Sequence, residues 1–157
     1  MPTRMKLVNS IVINAPIETV FDYISDISKD PNWRNEVDKM EVDGSIEVGT
    51  LATEYSTLFR PFVKTVTPTR IKVLDRPNVV AFETDPGVDP WLVSHRSLKA
   101  LRLDRTEVTY RLETDLPPSG TFGKLYLALM TRLYGPRLPR YLLTLKKKIE
   151  SSQLSAD

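Results

Sequence analysis

Few side chains of this sequence are suited to chemistry, and one of them is a single histidine. His95 is the one histidine of the 157 residues and no cysteine is present, so a nucleophile–base pair would need His95 as its base. Ser94 is its neighbour, but adjacent residues of a strand point to opposite faces, so the two do not form a dyad. Arg96 and Tyr110 could orient a ligand, and Arg96, Tyr110 or His95 could assist an enolisation or dehydration.

The sequence lacks the residues that a metal site, a phosphate-binding loop or a cofactor site would need. One histidine and no cysteine leave only carboxylates as metal ligands, and none have the spacing of a calcium loop. The six glycines are dispersed at turns, so there is no glycine-rich phosphate loop. Asp85 and Asp89 fall in a loop rich in proline and glycine, and we interpret them as solvated turn residues. The sequence therefore predicts neither a metal site nor a cofactor, and it identifies no catalytic residue.

Composition and charge argue against nucleic-acid binding and against an integral membrane segment. The net charge is +2, with 41% apolar and 27% charged residues, and no basic face argues for nucleic acid. The run Lys146-Lys147-Lys148 lies near a helix C-terminus, where cations complement the helix dipole. With no apolar signal region and no run of 18 apolar residues, we expect neither a signal peptide nor an integral membrane segment, and a cytoplasmic location is the default.

The elements that must position these side chains are mostly strands. Turn punctuation predicts seven strands, near 6–14, 37–43, 50–58, 62–75, 78–84, 91–101 and 106–115. Ala15-Pro16 starts a short helix over about 16–25, and one more helical turn follows over 28–33. Trp33 is interpreted as a packing lid on these two helices. Pro68, inside the fourth strand, predicts a bulge or an edge position.

The register of the last hairpin decides whether His95 or Arg96 faces inward. A tight two-residue turn at 104–105 gives one register. A loop of odd length centred near Leu103 gives the other, in which Arg96 pairs with Tyr110. A slip of one residue moves every side chain of a strand to the opposite face.

We favour the second register, because it gathers apolar side chains on one face, namely Leu92, Leu98, Val108, Tyr110 and Leu112. An inward Arg96 then needs a partner, since an unpaired buried charge costs several kcal/mol. A carboxylate or carbonyl group of a ligand could supply it. A structural ion pair is the expected alternative, with Glu54, Glu83 or Glu113.

The closing stretch, 121–151, carries two helical stripes. The first comprises Phe122, Leu125, Tyr126, Leu129, Met130 and Leu133, and the second comprises Leu138, Tyr141, Leu142, Leu145 and Ile149. Gly135-Pro136 lies between them, and a proline inside a helix costs about 3 kcal/mol, so we predict a break or sharp bend there. Leu127 and Tyr134 align with the second stripe, so the first segment is apolar on more than one face.

These elements predict a fold of the α+β class within a single domain over 1–157. Consecutive strands joined by short turns imply an antiparallel meander. The closing helix is the element long enough to cover one face of that sheet. A strongly curved sheet wrapped around one helix leaves a gap, and the gap predicts a cavity.

Motifs along nearly the whole chain match one known fold family. Those near the start are a strand followed by Ala15-Pro16, Val20-Phe21, Asp26, Pro31 and Trp33. Those further on are Val48-Gly49-Thr50, Thr106-Glu107-Val108-Thr109, Leu145-Lys146 and Glu150. The sequence thus resembles the START-like or Bet v 1-like helix-grip superfamily, often labelled polyketide cyclase/dehydrase and lipid transport. The resemblance implies a curved seven-stranded antiparallel sheet around a long C-terminal helix, with two short helices after strand 1. Members of such a fold differ in function.

Our leading hypothesis is a protein that binds a hydrophobic small molecule, either a lipid, an isoprenoid or a polyketide-like compound, between the sheet and the C-terminal helix. The residues expected to contact it are Phe82, Arg96, Leu98, Tyr110, Leu125, Tyr126, Leu129 and Met130. One alternative is an aromatase/cyclase-like enzyme, which the absence of an evident acid–base pair disfavours. The other is a homodimeric interaction module that uses the extra apolar face of 122–134.

Overall fold

A computed structural model describes residues 4–58, 63–88, 91–115 and 121–155. Its strands are β1 (Arg4–Ile13), β2 (Val37–Val42), β3 (Leu51–Leu58), β4 (Val63–Asp75), β5 (Val79–Thr84), β6 (Leu92–Arg102) and β7 (Arg105–Asp115). Its helices are α1 (Ile17–Ser25), a 3-10 helix (Ile27–Asn32), α2 (Thr121–Tyr134) and α3 (Arg137–Leu154). Outside the described residues lie Asp89, the turn at Arg60-Pro61, the linker 117–120 and the side chain of Phe122.

The strands form one antiparallel sheet of seven, in the order β1-β7-β6-β5-β4-β3-β2. From β2 to β7 each strand pairs with the next along the chain, while β1 adds to the far side of β7. The α+β helix-grip fold that the sequence predicts is therefore confirmed. Short turns between strands favour this meander, because antiparallel neighbours need no crossover.

The hairpin of β6 and β7 has the register that the sequence favours, with Arg96 opposite Tyr110. The expected odd-length loop is wrong, however. Arg102 pairs with Arg105 across a two-residue turn, and an irregularity just before the turn shifts the register by one residue. That bulge has the same effect on side-chain direction as an odd loop. Arg96 therefore faces inward, and His95 lies on the outer face.

Pro68 lies where the ladder between β4 and β5 has ended. It pairs with Thr53 of β3, but pairing with β5 begins one residue later, at Thr69. The carbonyl of Pro68 accepts a hydrogen bond from the backbone N–H of Asp85 at 2.9 Å. β4 is nevertheless an inner strand of the sheet, and its bulge occurs further on, between Ile71 and Val73, so the bulge or edge position predicted at Pro68 is wrong. The missing N–H of Pro68 is tolerated because it falls just past the end of the pairing with β5.

Helix α3 closes the inward face of the sheet. All members of the predicted second stripe are buried, namely Leu138, Tyr141, Leu142, Leu145 and Ile149. Burying each such side chain contributes about 1.5–3 kcal/mol. They pack with Val20, Phe21 and Ile24 of α1 in the same core. Periodicity alone therefore placed this helix correctly.

The predicted break in the closing helix is confirmed, because α2 ends at Tyr134 and α3 begins at Arg137. Pro136 has φ of −72°, which suits the start of a helix. Gly135 donates its backbone N–H to the carbonyl of Thr131 at 2.9 Å. A Cβ at Gly135 would lie 2.5 Å from that same oxygen, so the close turn between the helices requires glycine. In the part of the chain that is described, no helix is long and apolar enough to cross a membrane.

Candidate functional site

A cavity of about 430 Å³ lies between the inward face of the sheet and the two C-terminal helices. This volume is within the range of small-molecule sites. Five of the eight residues predicted as ligand contacts line it, namely Phe82, Arg96, Tyr110, Tyr126 and Met130. Leu98 is buried in the core beside it, and Leu125 and Leu129 are 66% and 51% exposed on the outer side of α2. Contact with a ligand stays a prediction for all eight.

The two faces of α2 explain why Tyr126 and Met130 line the cavity while Leu125 and Leu129 are exposed. Tyr126 and Met130 are four residues apart and form one stripe, as do Leu125 and Leu129, about 100° around the helix. Only one of these stripes can face the sheet. The sequence shows that α2 is apolar on more than one side, but it does not show which side is inward.

The sheet side of the cavity is more polar than the sequence analysis anticipated. Strand alternation brings a row of hydroxyl groups inward, from Ser56, Thr65, Thr67, Thr69, Thr84, Ser94 and Thr114. Several are satisfied by the backbone; for example, the Thr69 hydroxyl donates to the Ala52 carbonyl at 3.2 Å. Within the described residues, the hydroxyls of Thr67 and Ser94 have no such partner and are available to a ligand. Threonine at every second position of β4 was the signal for this row.

Arg96 forms a bidentate ion pair with Asp30 of the 3-10 helix, and both side chains are buried. Its Nη1 donates to Asp30 Oδ1 at 2.9 Å and to the carbonyl of Ile24 at 2.7 Å. The structural ion pair was expected, but the partners expected for it are wrong. Those carboxylates are held by other cations: Glu83 by Arg70 and Lys72, Glu113 by Arg111, and Glu54 by Arg34.

Aromatic rings enclose the Arg96 guanidinium. Its central carbon lies 4.5 Å from the ring centre of Phe82, 4.8 Å from that of Trp33 and 5.8 Å from that of Tyr110. Such contacts favour a desolvated cation. Trp33 is buried and meets Tyr110 and Tyr141 edge-on. It does not line the cavity, which agrees with a packing role rather than with ligand contact.

Arg34, which the sequence analysis did not single out, is a second centre of charge at the cavity wall. Its Nη1 donates to Asp30 Oδ2 at 3.0 Å and to Glu54 Oε2 at 2.9 Å. Its Nη2 donates to Oε1 of Glu36 and of Glu54, both at 3.3 Å. Burial alone would raise the pKa of Glu54, but the charge of Arg34 and the hydrogen bond from Ser56 hold that pKa below its usual value. Glu54 therefore stays ionised.

Two tyrosines of the C-terminal helices complete this part of the cavity. Burial raises the pKa of Tyr141, and the negative charge of Glu36 raises it further. Burial, followed by the charges of Glu36 and Glu54, likewise raises the pKa of Tyr134 against the opposing charge of Arg137. Both phenols therefore keep their protons at neutral pH.

The site offers acid–base and hydrogen-bonding groups rather than metal ligands. Across the described ranges, no group of three or more His, Cys, Asp or Glu side chains is placed to hold a metal ion. Carboxylates and protonated phenols lie close to one another in the lining of the cavity, which Met130 and Tyr126 of α2 also line. Such a site can hold an apolar body and orient a polar group attached to it.

Comparison with known proteins agrees with this fold. The sequence model of the family described as "Polyketide cyclase / dehydrase and lipid transport" matches residues 4–150. The chain belongs to that family. No curated protein matches this chain in sequence.

Solved structures share its fold at low sequence identity. The Zhui aromatase/cyclase from Streptomyces sp. R1128 has a TM-score of 0.76 at 13% identity, over 94% of both chains. A START superfamily protein from Mycobacterium smegmatis has a TM-score of 0.74 at 16% identity, over 93% of this chain and 97% of that one. Norcoclaurine synthase from Thalictrum flavum, in complex with dopamine and hydroxybenzaldehyde, has a TM-score of 0.71 at 13% identity, over 96% and 88%. At such identities the likeness shows the fold alone.

Proposed function

We propose that this chain binds a hydrophobic small molecule, in the class of lipids, isoprenoids or polyketide-like compounds, between the sheet and helices α2 and α3. The observation that carries the proposal is the cavity of about 430 Å³. A ligand that buries about 300 Å² of apolar surface there would gain roughly 7 kcal/mol before the costs of association. The polar groups of the wall would add to that gain and set the orientation of the ligand.

Family and fold support the same function without naming the ligand. The family description joins polyketide cyclases with lipid transport. The structural neighbours include an aromatase/cyclase and a synthase in complex with two small ring compounds. A ligand with rings would suit the aromatic side chains of this cavity, among them Tyr126, Phe82 and Tyr141.

Binding of Nile red, a neutral polycyclic dye that fluoresces in apolar sites, tests the proposal. Met130→Trp would fill part of the cavity, whereas Leu129→Trp adds the same ring to the exposed side of the same helix. We expect wild type and Leu129→Trp to bind alike, and Met130→Trp to bind at least about tenfold more weakly. Equal binding by both variants, or no binding by wild type, would overturn the proposal. If the proposal holds, native mass spectrometry of protein purified from its own host would identify a retained ligand.

A second candidate function is an aromatase/cyclase-like enzyme. It is favoured by the position of the Glu36 carboxylate beside the protonated phenol of Tyr141 at the cavity wall. A carboxylate that accepts a proton and a phenol that donates one could assist enolisation or dehydration of a carbonyl compound. Glu36→Gln and Tyr141→Phe should then lower kcat for a poly-β-ketone analogue by about 10²–10⁴-fold while binding persists. Unchanged turnover in both variants would remove this candidate.

A further inference from the structure

The charges of the cluster around Arg34 do not balance. Arg96 offsets Asp30, its bidentate partner. The single charge of Arg34 then faces both Glu36 and Glu54. Three carboxylates and two guanidinium groups thus leave one negative charge without a counterion, in a region where uncompensated charge is costly.

Glu36 carries most of this imbalance, because it is the least satisfied of the carboxylates. Its hydrogen bond to Arg34 is long, at 3.3 Å. Glu54, by contrast, accepts two bonds from Arg34 and one from Ser56 at 2.7 Å. The Tyr141 hydroxyl lies beside the Glu36 carboxylate and adds only a weak interaction with it. Glu36 is 7% exposed and lines the cavity, so a ligand in the cavity can contact it.

Other cations nearby are committed elsewhere. Among the described residues that line the cavity, Arg34 and Arg96 are the only cations. Arg137, at the start of α3, lies 5.2 Å from the ring centre of Tyr134 and does not line the cavity. Arg70 and Lys72 both bind Glu83. A positively charged group of a ligand would therefore be favoured beside Glu36.

Tyr141 is the second observation that points to a ligand group at this place. It is 3% exposed, and no group meets full hydrogen-bond geometry with its hydroxyl in the described structure, although the Glu36 carboxylate lies close enough to raise the Tyr141 pKa. A buried polar group without a partner costs about 1–3 kcal/mol. The rings of Tyr110, Tyr126 and Tyr134 also line the cavity, and aromatic faces attract cations.

We propose that the preferred ligand carries an ammonium group on an apolar, ring-containing body. The ammonium group lies against Glu36 and donates a hydrogen bond to the Tyr141 hydroxyl oxygen. The body lies along Tyr126 and Met130 on the helix side of the cavity. This inference rests on the proposed function, since it requires that the cavity be a ligand site.

Three ligands that share one ring system test the inference on the wild-type chain. They are 2-(2-naphthyl)ethylamine, 2-(2-naphthyl)ethanol and 3-(2-naphthyl)propanoate, measured by calorimetry at pH 7. We expect the amine to bind at least about tenfold more tightly than the alcohol, and the carboxylate to bind most weakly, because the cluster has excess negative charge. An alcohol or carboxylate that binds as tightly as the amine overturns the inference.

A matched pair of variants assigns the effect to its residue. Glu36→Gln removes the cavity carboxylate, whereas Glu41→Gln makes the same change of net charge on an exposed strand, where Glu41 pairs with Lys39. The advantage of the amine should disappear in Glu36→Gln and persist in Glu41→Gln. An advantage that persists in Glu36→Gln overturns the assignment. If Glu36→Gln does not fold, the wild-type ranking decides.

Nile red separates failure of this inference from failure of the proposed function. If the dye binds and the amine has no advantage, only the ammonium preference is wrong. If neither the dye nor any of the naphthyl compounds binds, the cavity is not a ligand site and both proposals fall.

Discussion

Arg96 and Asp30 face each other across the core as a bidentate ion pair, with side chains 1% and 0% exposed. The pair joins β6 to the 3-10 helix. Arg96 also donates to the carbonyl of Ile24 at the end of α1, so one guanidinium group connects the sheet to both short helices. Asp30 is shared with Arg34, which links this pair to the wall of the cavity.

Because Asp30 pairs with both Arg96 and Arg34, substitutions of Asp30 and of Arg96 should differ in their effect on stability. Asp30→Asn leaves Arg96 buried with the Ile24 carbonyl in place of a counterion, and should lower the free energy of unfolding by about 3–5 kcal/mol. Arg96→Met should cost less, because Asp30 keeps Arg34 at 3.0 Å. Urea unfolding measures both. The exposed pair Arg76–Asp22 is the control, and Arg76→Gln should cost much less than either of the other two substitutions. Equal costs for all three variants would contradict this account.

Stability should fall in acid because of Glu54. Its folded-state pKa lies below the ordinary value, since Arg34 and Ser56 outweigh the opposing effect of burial. The ionised group therefore stabilises the fold above its unfolded pKa of about 4.3, and this contribution is lost as pH falls through the folded-state pKa. Urea midpoints between pH 7 and pH 3 should decline less in Glu54→Gln than in wild type. A decline of the same steepness in both proteins would be evidence against a stabilising role of ionised Glu54.

Gly135→Ala should destabilise the turn between α2 and α3. The added Cβ would lie 2.5 Å from the Thr131 carbonyl oxygen, so the last turn of α2 must move, at a cost of about 1–3 kcal/mol. Thermal unfolding by circular dichroism measures the loss. Pro136→Ala adds no atom near that oxygen and serves as control. A Gly135→Ala variant as stable as wild type would show that the turn adjusts freely.

The exposed leucines of α2 should not contribute to the stability of the fold. Replacing both Leu125 and Leu129 by glutamine should change the free energy of unfolding by less than about 0.5 kcal/mol, because both are largely exposed. Leu142→Gln, in the buried stripe of α3, should be strongly destabilising. Sedimentation of the wild type and of the double variant tests the homodimer alternative. A lower mass for the double variant would support that alternative over a purely ligand-binding role.

Local patterns predicted most of the fold. Helical periodicity identified the buried stripe of α3, and Gly135-Pro136 marked the break before it. The inward direction of Arg96 followed from which register gathers apolar residues on one face. These properties depend on neighbours in sequence or on one adjacent strand, so the sequence carries them.

The charged part of the site depended on contacts that no local pattern encodes. Asp30 and Arg96 are 66 residues apart, and Arg34 and Glu54 are 20 apart. These pairs meet because the 3-10 helix packs over the sheet, and its placement is a tertiary property. The orientation of α2 was equally open, since Leu125 and Met130 are alike in hydrophobicity and only packing chooses between their stripes.

The position of β1 beside β7 has a consequence for how the chain is made. The Lys146 ammonium group donates to the Val12 carbonyl, 134 residues earlier, and Glu150 accepts from the backbone N–H of Asn14. During synthesis β1 can therefore be paired and covered only after β7 and α3 have been made. Meanwhile the growing meander exposes its apolar face, a state that invites association between nascent chains. We expect folding to be late and slow, governed by these long-range contacts, and we expect nascent chains that lack α3 to depend on chaperones.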